Sequence, residues 1–134
     1  MFVLHIAYIA STIVFILGNS LFGGPSPSGY EILDVDAASD LIETCGKDLQ
    51  ILDVRTPEEY QSEHIHDAVN INVRDPGFAE QISMFKQDMP VLVYCKGGVR
   101  SESAASILTS KGFKQVYSMQ GGIDTWKKAG YQVE

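Results

Sequence analysis

The run from Val91 to Ser101, Val-Leu-Val-Tyr-Cys-Lys-Gly-Gly-Val-Arg-Ser, decides how this chain is organised. Its first four residues are β-branched, aliphatic or aromatic, and they predict a short buried strand. Two glycines follow Cys95, and the alanines and aliphatic residues after Ser101 predict a helix. A strand that turns tightly into a helix presents backbone N–H groups and the positive end of the helix dipole at the turn. We therefore predict an anion site with Cys95 at its mouth.

Cys95 is the candidate nucleophile of this site. Fixed N–H donors and a helix start favour a thiolate over a thiol, and the thiolate is the reactive form. Arg100 adds a permanent positive charge nearby and could hold an anionic substrate through two hydrogen bonds. The alternative is a structural loop whose buried cysteine only ends a core strand. The two glycines and the arginine favour the functional interpretation.

Size and charge restrict the function classes. The chain has 134 residues, of which 45% are hydrophobic, so one domain with a real core is expected. The net charge is −7, and residues 1–30 contain no Lys, Arg, Asp or Glu. This balance argues against nucleic-acid binding through a broad basic face. A small anion can still bind an acidic protein at a local cluster of N–H groups.

Residues 1–22 form a hydrophobic N-terminal segment. It is interpretable as a signal peptide cleaved after Ser20, or as a membrane anchor just long enough to span a bilayer. Both interpretations place the protein in the cell envelope, either exported to the periplasm or tethered to the membrane through residues 1–22. Residues 23–29, Gly-Gly-Pro-Ser-Pro-Ser-Gly, are predicted to be a linker, which leaves 30–134 as the folded domain.

Five short apolar runs alternate with five helical patterns, which predicts an α/β fold: a central parallel five-stranded sheet with helices on both faces. In such sheets, ligands bind beyond the carboxyl ends of the strands, where Cys95 lies. The predicted strands are Glu31–Leu33, Leu49–Asp53, Ala68–Ile71, Val91–Tyr94 and Gln115–Ser118. The predicted helices are Ala37–Cys45, Pro57–Ser62, Pro76–Phe85, Ser101–Ser110 and Gly122–Lys128.

Cys45 is the second of the two cysteines. It shares one helical face with Ala37, Ala38, Leu41 and Ile42, so it is interpreted as a small core residue. A role as a resolving thiol for Cys95 stays open, because spacing alone does not exclude it.

Several motifs in order along the chain resemble the rhodanese-like sulfurtransferase family, in its single-domain form. The resemblance covers residues 30–134 and leaves out the hydrophobic segment. The motifs are Asp53-Val-Arg-Thr-Pro-Glu-Glu-Tyr60, His64-Ile ahead of Ala68-Val-Asn-Ile71, Cys95-Lys-Gly-Gly-Val-Arg-Ser101, Gly112-Phe113 and Gly121-Gly-Ile-Asp-Thr-Trp126.

The resemblance implies that Cys95 accepts a sulfane sulfur from thiosulfate or a related donor and passes it to a thiol, cyanide or a partner protein. It implies no metal and no organic cofactor. The loop residues Lys96, Gly97, Gly98, Val99, Arg100 and Ser101 would hold the sulfur anion. Lys96 would tune donor preference or be simply solvated. Asp53 and Arg55 would support the active site at its rim, or form only an ion pair or a turn.

One segment departs from the family pattern. Glu63 stands where a glycine is usual, and His66-Asp67 replace the usual Pro-Gly pair. Together with His64 these side chains could suggest a metal site, but a His-x-His pair alone is a weak signal. We interpret His64 as a hydrogen-bonded structural residue and His66 as an exposed one.

Three other functions compete with direct sulfur transfer. Cysteine-based phosphatases also cradle an oxyanion in a strand-to-helix loop, but they place one more residue between cysteine and arginine than the Lys-Gly-Gly-Val found here. The shorter loop suits a single sulfur better than a tetrahedral phosphate. Arsenate reduction on the same scaffold is a weaker alternative. A membrane-tethered persulfide carrier or protein-binding module serving a partner protein also stays open.

Overall fold

The computed structural model describes residues 28–134, and the predicted segment 1–22 lies outside them. The strands are β1 Glu31–Leu33, β2 Gln50–Asp53, β3 Val69–Asn70, β4 Val91–Tyr94 and β5 Val116–Met119. They form one parallel sheet in the order β1-β5-β4-β2-β3, which confirms the predicted parallel five-stranded fold. Within the described residues, no helix is both long and apolar enough to cross a membrane.

The helices lie between the strands, as the alternating pattern predicts. Short 3-10 turns follow the first and third of them, at Gly46–Asp48 and Ile82–Met84. The helices are α1 Val35–Cys45, α2 Pro57–Ser62, α3 Phe78–Gln81, α4 Val99–Ser110 and α5 Gly122–Lys128.

Several element boundaries differ from the sequence prediction, each by a few residues. Helix α1 begins before Ala37 because the Asp34 side chain caps it, accepting a hydrogen bond of 2.8 Å from the Ala37 N–H. The helix predicted at Pro76–Phe85 is a single α-helical turn continued by a 3-10 turn. Helix α4 begins at Val99, directly after a left-handed glycine, so Val99 and Arg100 belong to the helix and the connecting loop is very short.

Alternation along the strands divides the core into two layers. In β4, Leu92 and Tyr94 face a cluster that includes residues of α1 and α5, while Val91 and Val93 face a cluster that includes residues of α3 and α4. Cys95 continues the second series and packs with the α4 layer. The alternation thus points the cysteine towards the helix whose first turn follows the loop.

The described chain enters the sheet at the amino ends of the strands, whereas Cys95 lies at their carboxyl ends. Strand β1 begins at Glu31, and because the strands are parallel this position is far from the carboxyl end of β4. The Gly29 carbonyl accepts a hydrogen bond from Thr109, in the last turn of α4. Because a helix rises ~1.5 Å per residue, Gly29 lies roughly 15 Å along α4 from its first turn.

Candidate active site

Cys95 lies at the bottom of the loop between β4 and α4 and is only 1% exposed. Its Sγ accepts hydrogen bonds from two backbone N–H groups, that of Gly98 at 3.0 Å and that of Ser101 at 3.4 Å. Both donors belong to the stretch where the sequence predicted an anion cradle. Two fixed donors aimed at one sulfur favour a negative charge on that sulfur.

The loop is folded by a close approach of the turn before α5. The carbonyl of Cys95 accepts a hydrogen bond of 2.9 Å from the Ile123 N–H, and the carbonyl of Lys96 accepts one of 3.2 Å from Asp124. These carbonyls are thereby drawn away from the sulfur. A Cβ on Gly122 would overlap both carbonyl groups, so only glycine allows the two segments to approach this closely.

Two buried serines adjoin the sulfur. The Ser101 hydroxyl lies 3.6 Å from the Cys95 Sγ and donates to the Gly98 carbonyl at 2.9 Å. The Ser118 hydroxyl, on β5, donates to the Ser101 Oγ at 3.0 Å. The sequence motif predicts a role in the loop for Ser101 and none for Ser118.

Arg100 is held by a carboxylate. Its two terminal nitrogens donate to the two Glu59 carboxylate oxygens at 2.8 and 3.0 Å. These hydrogen bonds hold the pKa of Glu59 at about 2 and raise the pKa of Arg100 further. The predicted bidentate grip of Arg100 on a substrate is thus occupied, in this structure, by Glu59. Because both terminal nitrogens of Arg100 bind Glu59, they are not available to bind a phosphate group as a phosphatase would require.

Lys96 is paired as well. Its Nζ donates to the Asp124 carboxylate at 2.8 Å, and both side chains are well exposed. An exposed pair of this kind is weak and opens easily to solvent. With Lys96 and Arg100 each balanced by a carboxylate, the positive potential at Cys95 comes mainly from backbone N–H groups.

The family of the chain follows from its sequence together with this geometry. Residues 34–129 match the sequence model of the family described as Rhodanese-like domain. The chain belongs to the rhodanese-like family.

Individual relatives agree with this assignment. The thiosulfate sulfurtransferase GlpE of Coxiella burnetii is 41% identical over 81 residues, which cover 60% of this chain and 74% of that protein. The thiosulfate sulfurtransferase GlpE of Vibrio cholerae is 36% identical over 103 residues, covering 76% and 92%. A rhodanese-related protein of Thermoplasma volcanium has a similar solved structure, with a TM-score of 0.66 and 28% identity over 78% of this chain and 98% of that one.

Asp53 and Arg55 form a buried ion pair in this rhodanese-like domain, at 2.6 Å. Burial opposes the charge on Arg55, yet its hydrogen bonds with Asp53 raise its pKa overall. Asp53 is the register partner of Tyr94 and faces the same layer, whereas Cys95 faces the other. Arg55 also donates to the Glu63 carbonyl. The pair therefore braces the segment after β2 and lies on the opposite face of the sheet from the sulfur.

Cys45 packs against the layer of α1 and α5, as the helical pattern predicts. Burial, with a smaller effect of Asp48, raises the pKa of its thiol and so keeps it protonated. Because Cys45 and Cys95 lie on opposite faces of the sheet, this fold does not bring them together for a direct disulfide.

The two histidines of the departing segment contact Glu134 and other side chains. His64 stacks on the Tyr60 ring at 3.9 Å and its Nδ1 lies 2.9 Å from the Tyr60 carbonyl. His66 is exposed, and its Nδ1 lies 3.0 Å from a Glu134 carboxylate oxygen. No group of three metal-ligating side chains is found in residues 28–134.

Several residues that shape this site carried a weaker signal in the sequence. Glu59 occupies the last position of a Thr-x-x-Glu capping box, which predicts a helix start at Thr56 but not an arginine partner. Gly122 belongs to a quoted motif, although its contact with the loop needed the fold. Ser118 is a lone polar residue in an apolar strand, a pattern that marks a buried hydrogen bond.

Proposed function

We propose that this chain is a rhodanese-type sulfurtransferase that moves a sulfane sulfur from thiosulfate, or a related donor, through a persulfide on Cys95. The observation that carries the proposal is the pair of N–H groups of Gly98 and Ser101 directed at the buried Sγ. The two relatives named as thiosulfate sulfurtransferases support thiosulfate as the donor.

The first half-reaction loads the cysteine. The Cys95 thiolate attacks the outer sulfur of thiosulfate, a new S–S bond forms, and the original S–S bond breaks as sulfite leaves with the bonding electrons. The persulfide carries its negative charge on the outer sulfur. The loop N–H groups that favoured the thiolate also stabilise charge at this position.

The second half-reaction removes the sulfur from the Cys95 persulfide. A cyanide or thiolate acceptor attacks the outer sulfur, and the Cys95 thiolate leaves, which produces thiocyanate or a new persulfide. Because the two substrates react in turn at one sulfur, ping-pong kinetics are expected. A metal or organic cofactor has no step to perform in this cycle.

The burial of Cys95 determines which donors and acceptors can reach it. With the residue 1% exposed, the reacting sulfur must stand at the end of a narrow group that enters the loop. The outer sulfur of thiosulfate meets this requirement, and so does a persulfide at the tip of a protein segment. We therefore also propose that a partner protein can deliver the sulfur to Cys95 or remove it.

The test uses the purified full-length chain with thiosulfate and cyanide. We expect sulfite release and thiocyanate formation with parallel double-reciprocal plots, loss of both products in Cys95→Ser, and retention of both in the matched variant Cys45→Ser. If thiosulfate releases no sulfite while a protein persulfide does load Cys95, the chain is a relay between proteins. Hydrolysis of a phosphate or reduction of arsenate at Cys95, without sulfur transfer, would contradict the proposal.

We also propose that residues 1–22 direct the chain to the cell envelope, either as a cleaved signal or as a retained anchor. Their mostly apolar character, interrupted by a few polar residues but by no Lys, Arg, Asp or Glu, supports export or membrane insertion. N-terminal sequencing of the protein from membrane and soluble fractions tests this. An intact Met1 in the membrane fraction identifies an anchor, a start after Ser20 identifies a cleaved signal, and an intact soluble chain contradicts both.

A further inference from the structure

We propose that Ser118 is a positioning residue that acts on Cys95 through the hydroxyl group of Ser101. The inference rests on the role proposed above for Cys95 as the nucleophile. It adds a residue on the neighbouring strand to the groups that determine how readily this thiol becomes a thiolate.

Ser118 is a polar residue at a position where apolar ones are expected. Its strand is buried throughout, and Ser118 itself is 1% exposed, between Tyr117 and Met119. Alternation directs it to the same side of the sheet as Val116 and Cys95. A buried hydroxyl costs free energy unless it is hydrogen-bonded, and the hydrogen bond of Ser118 is made to Ser101, the side chain next to the sulfur.

The contacts form a chain that ends at the sulfur. The Ser118 hydroxyl donates to the Ser101 Oγ at 3.0 Å, and the Ser101 hydroxyl donates to the Gly98 carbonyl at 2.9 Å. The Cys95 thiol is itself a donor to the Ser101 Oγ, at 3.6 Å. Ser101 therefore has its oxygen occupied by two donors and its single hydrogen directed at the loop.

Loss of the thiol proton changes this arrangement. The Sγ, which already accepts from two backbone N–H groups, no longer donates to the Ser101 Oγ. The Ser101 hydrogen can then turn from the Gly98 carbonyl to the sulfur, where it adds a third donor. Ser118 keeps donating to the Ser101 oxygen through this turn. A hydroxyl that accepts such a bond is a stronger donor, because hydrogen-bonded chains polarise one another.

The charged groups around the loop are not changed when the Ser101 hydroxyl turns from the Gly98 carbonyl to the sulfur. Each cation contributed by the loop and its neighbours has a carboxylate partner, so a change at Ser118 alters the hydrogen bonding of the sulfur and not the charge beside it. These pairs are Arg100 with Glu59 of α2, Arg55 with Asp53 at the end of β2, and Lys96 with Asp124 of α5.

The test compares Ser118→Val with Ser118→Thr, which share a shape and differ by one hydroxyl. Both suit a strand, and Ser118 borders an open pocket of about 130 Å³, so the added methyl group has space beside it. The full-length chain is used in a Cys45→Ser background, so that Cys95 is the single thiol. The rate of exchange between Cys95 and 2-hydroxyethyl disulfide, a small neutral reagent, is measured from acid pH upwards until the rate reaches its alkaline plateau.

We expect Ser118→Val to exchange about two- to threefold more slowly at acid pH and about two- to threefold faster at the alkaline plateau, because a less stabilised thiolate is scarcer but more nucleophilic. Ser118→Thr should follow the parent profile. In a Ser101→Ala background, Ser118→Val should change nothing further, because its effect passes through Ser101.

Three results would overturn the inference: coincident profiles for the Val variant and the parent, a uniform loss of rate at every pH, or an effect of Ser118→Val that persists without the Ser101 hydroxyl. Thermal unfolding of each variant identifies a general loss of structure, for which Thr and Val would behave alike. Thiosulfate loading of the parent is measured in parallel. If loading fails while the crossing pH profiles remain, the proposed substrate is wrong and the role of Ser118 stands.

Discussion

Glu59 is the side chain that ties α2 to the cysteine loop, and its ionisation makes the fold sensitive to acid. Hydrogen bonds from Arg100 lower its pKa from 4.5 to about 2. The carboxyl therefore binds a proton less readily in the folded protein than in the unfolded chain. The pair stabilises the fold fully above about pH 4.5, and this contribution is lost as the pH falls towards about 2.

We predict that Glu59→Gln lowers the free energy of unfolding by about 1 kcal/mol near neutral pH and flattens its acid dependence. Urea unfolding at a series of pH values measures both effects. The neighbouring Glu58→Gln is the matched control and should retain the acid dependence of the parent. An unchanged acid dependence in Glu59→Gln would show that the Arg100 pair contributes nothing to it.

Asp67 takes a left-handed backbone conformation, with φ of 67°, at the position where the family usually has glycine. Because this conformation costs an ordinary residue about 1 to 2 kcal/mol, and an aspartate less, we predict that Asp67→Gly stabilises the protein by about 0.5 kcal/mol. Urea unfolding measures the change. Asp67→Asn, which removes only the charge, should be nearly neutral; greater stability in Asp67→Ala than in Asp67→Gly would contradict the strain.

At the residue scale, the sequence alone predicts only those contacts of the site that join residues close together along the chain. Cys95 and the N–H groups that contact it lie within one short stretch, so glycine spacing and the following helix pattern are enough to predict that they are close together. The carboxylate that holds Arg100 is 41 residues away, and Ser118 is 17 residues from Ser101. Those contacts depend on which strands are neighbours, which a local pattern does not encode.

At the scale of elements, the turn before α5 acts as a support for the cysteine loop. Gly122 has a φ of 61° and faces the carbonyl groups of Cys95 and Lys96. We predict that Gly122→Ala lowers the rate of sulfur loading by at least about tenfold, because the added methyl displaces peptides whose N–H groups stabilise the sulfur. The rate of sulfite release in a single turnover measures this loss.

Gly130 provides the matched control for backbone strain. It is also left-handed, with a φ of 88°, but a Cβ there meets nothing within 4 Å. Gly130→Ala should cost about 1 to 2 kcal/mol of stability and leave sulfur loading unchanged. Equal losses of loading in the two alanine variants would mean that Gly122 matters only for folding.

Element positions were predictable because each strand is a compact apolar run bounded by polar or turn residues. The strands Glu31–Leu33 and Val91–Tyr94 and the helices Pro57–Ser62 and Gly122–Lys128 have the predicted bounds. The start of α4 was placed too late, since Gly98 permits a helix to begin at once after the loop. The strand order was not predicted, because pairing is decided by tertiary packing.

At the scale of the whole molecule, the chain enters the domain at the amino ends of the strands, and Cys95 lies at their carboxyl ends. This separation lets a tether at the N-terminus leave the cysteine loop accessible to soluble substrates. We predict that removing residues 1–27 changes the rate of sulfur loading from thiosulfate by less than about twofold. Single-turnover sulfite release with the full-length and shortened chains tests this. A much slower shortened chain that keeps its thermal stability would show that the N-terminal segment takes part in the site.

Cys95 is the residue proposed to carry the transferred sulfur, and intact-mass measurement tests this role. The full-length chain is exposed to thiosulfate, and sulfite is measured in the same sample. We expect a gain of one sulfur atom per chain, located on Cys95 and accompanied by equimolar sulfite, with no gain in Cys95→Ser and a normal gain in Cys45→Ser. Sulfur bound at Cys45, or sulfite released without any gain in mass at Cys95, would exclude this role for Cys95.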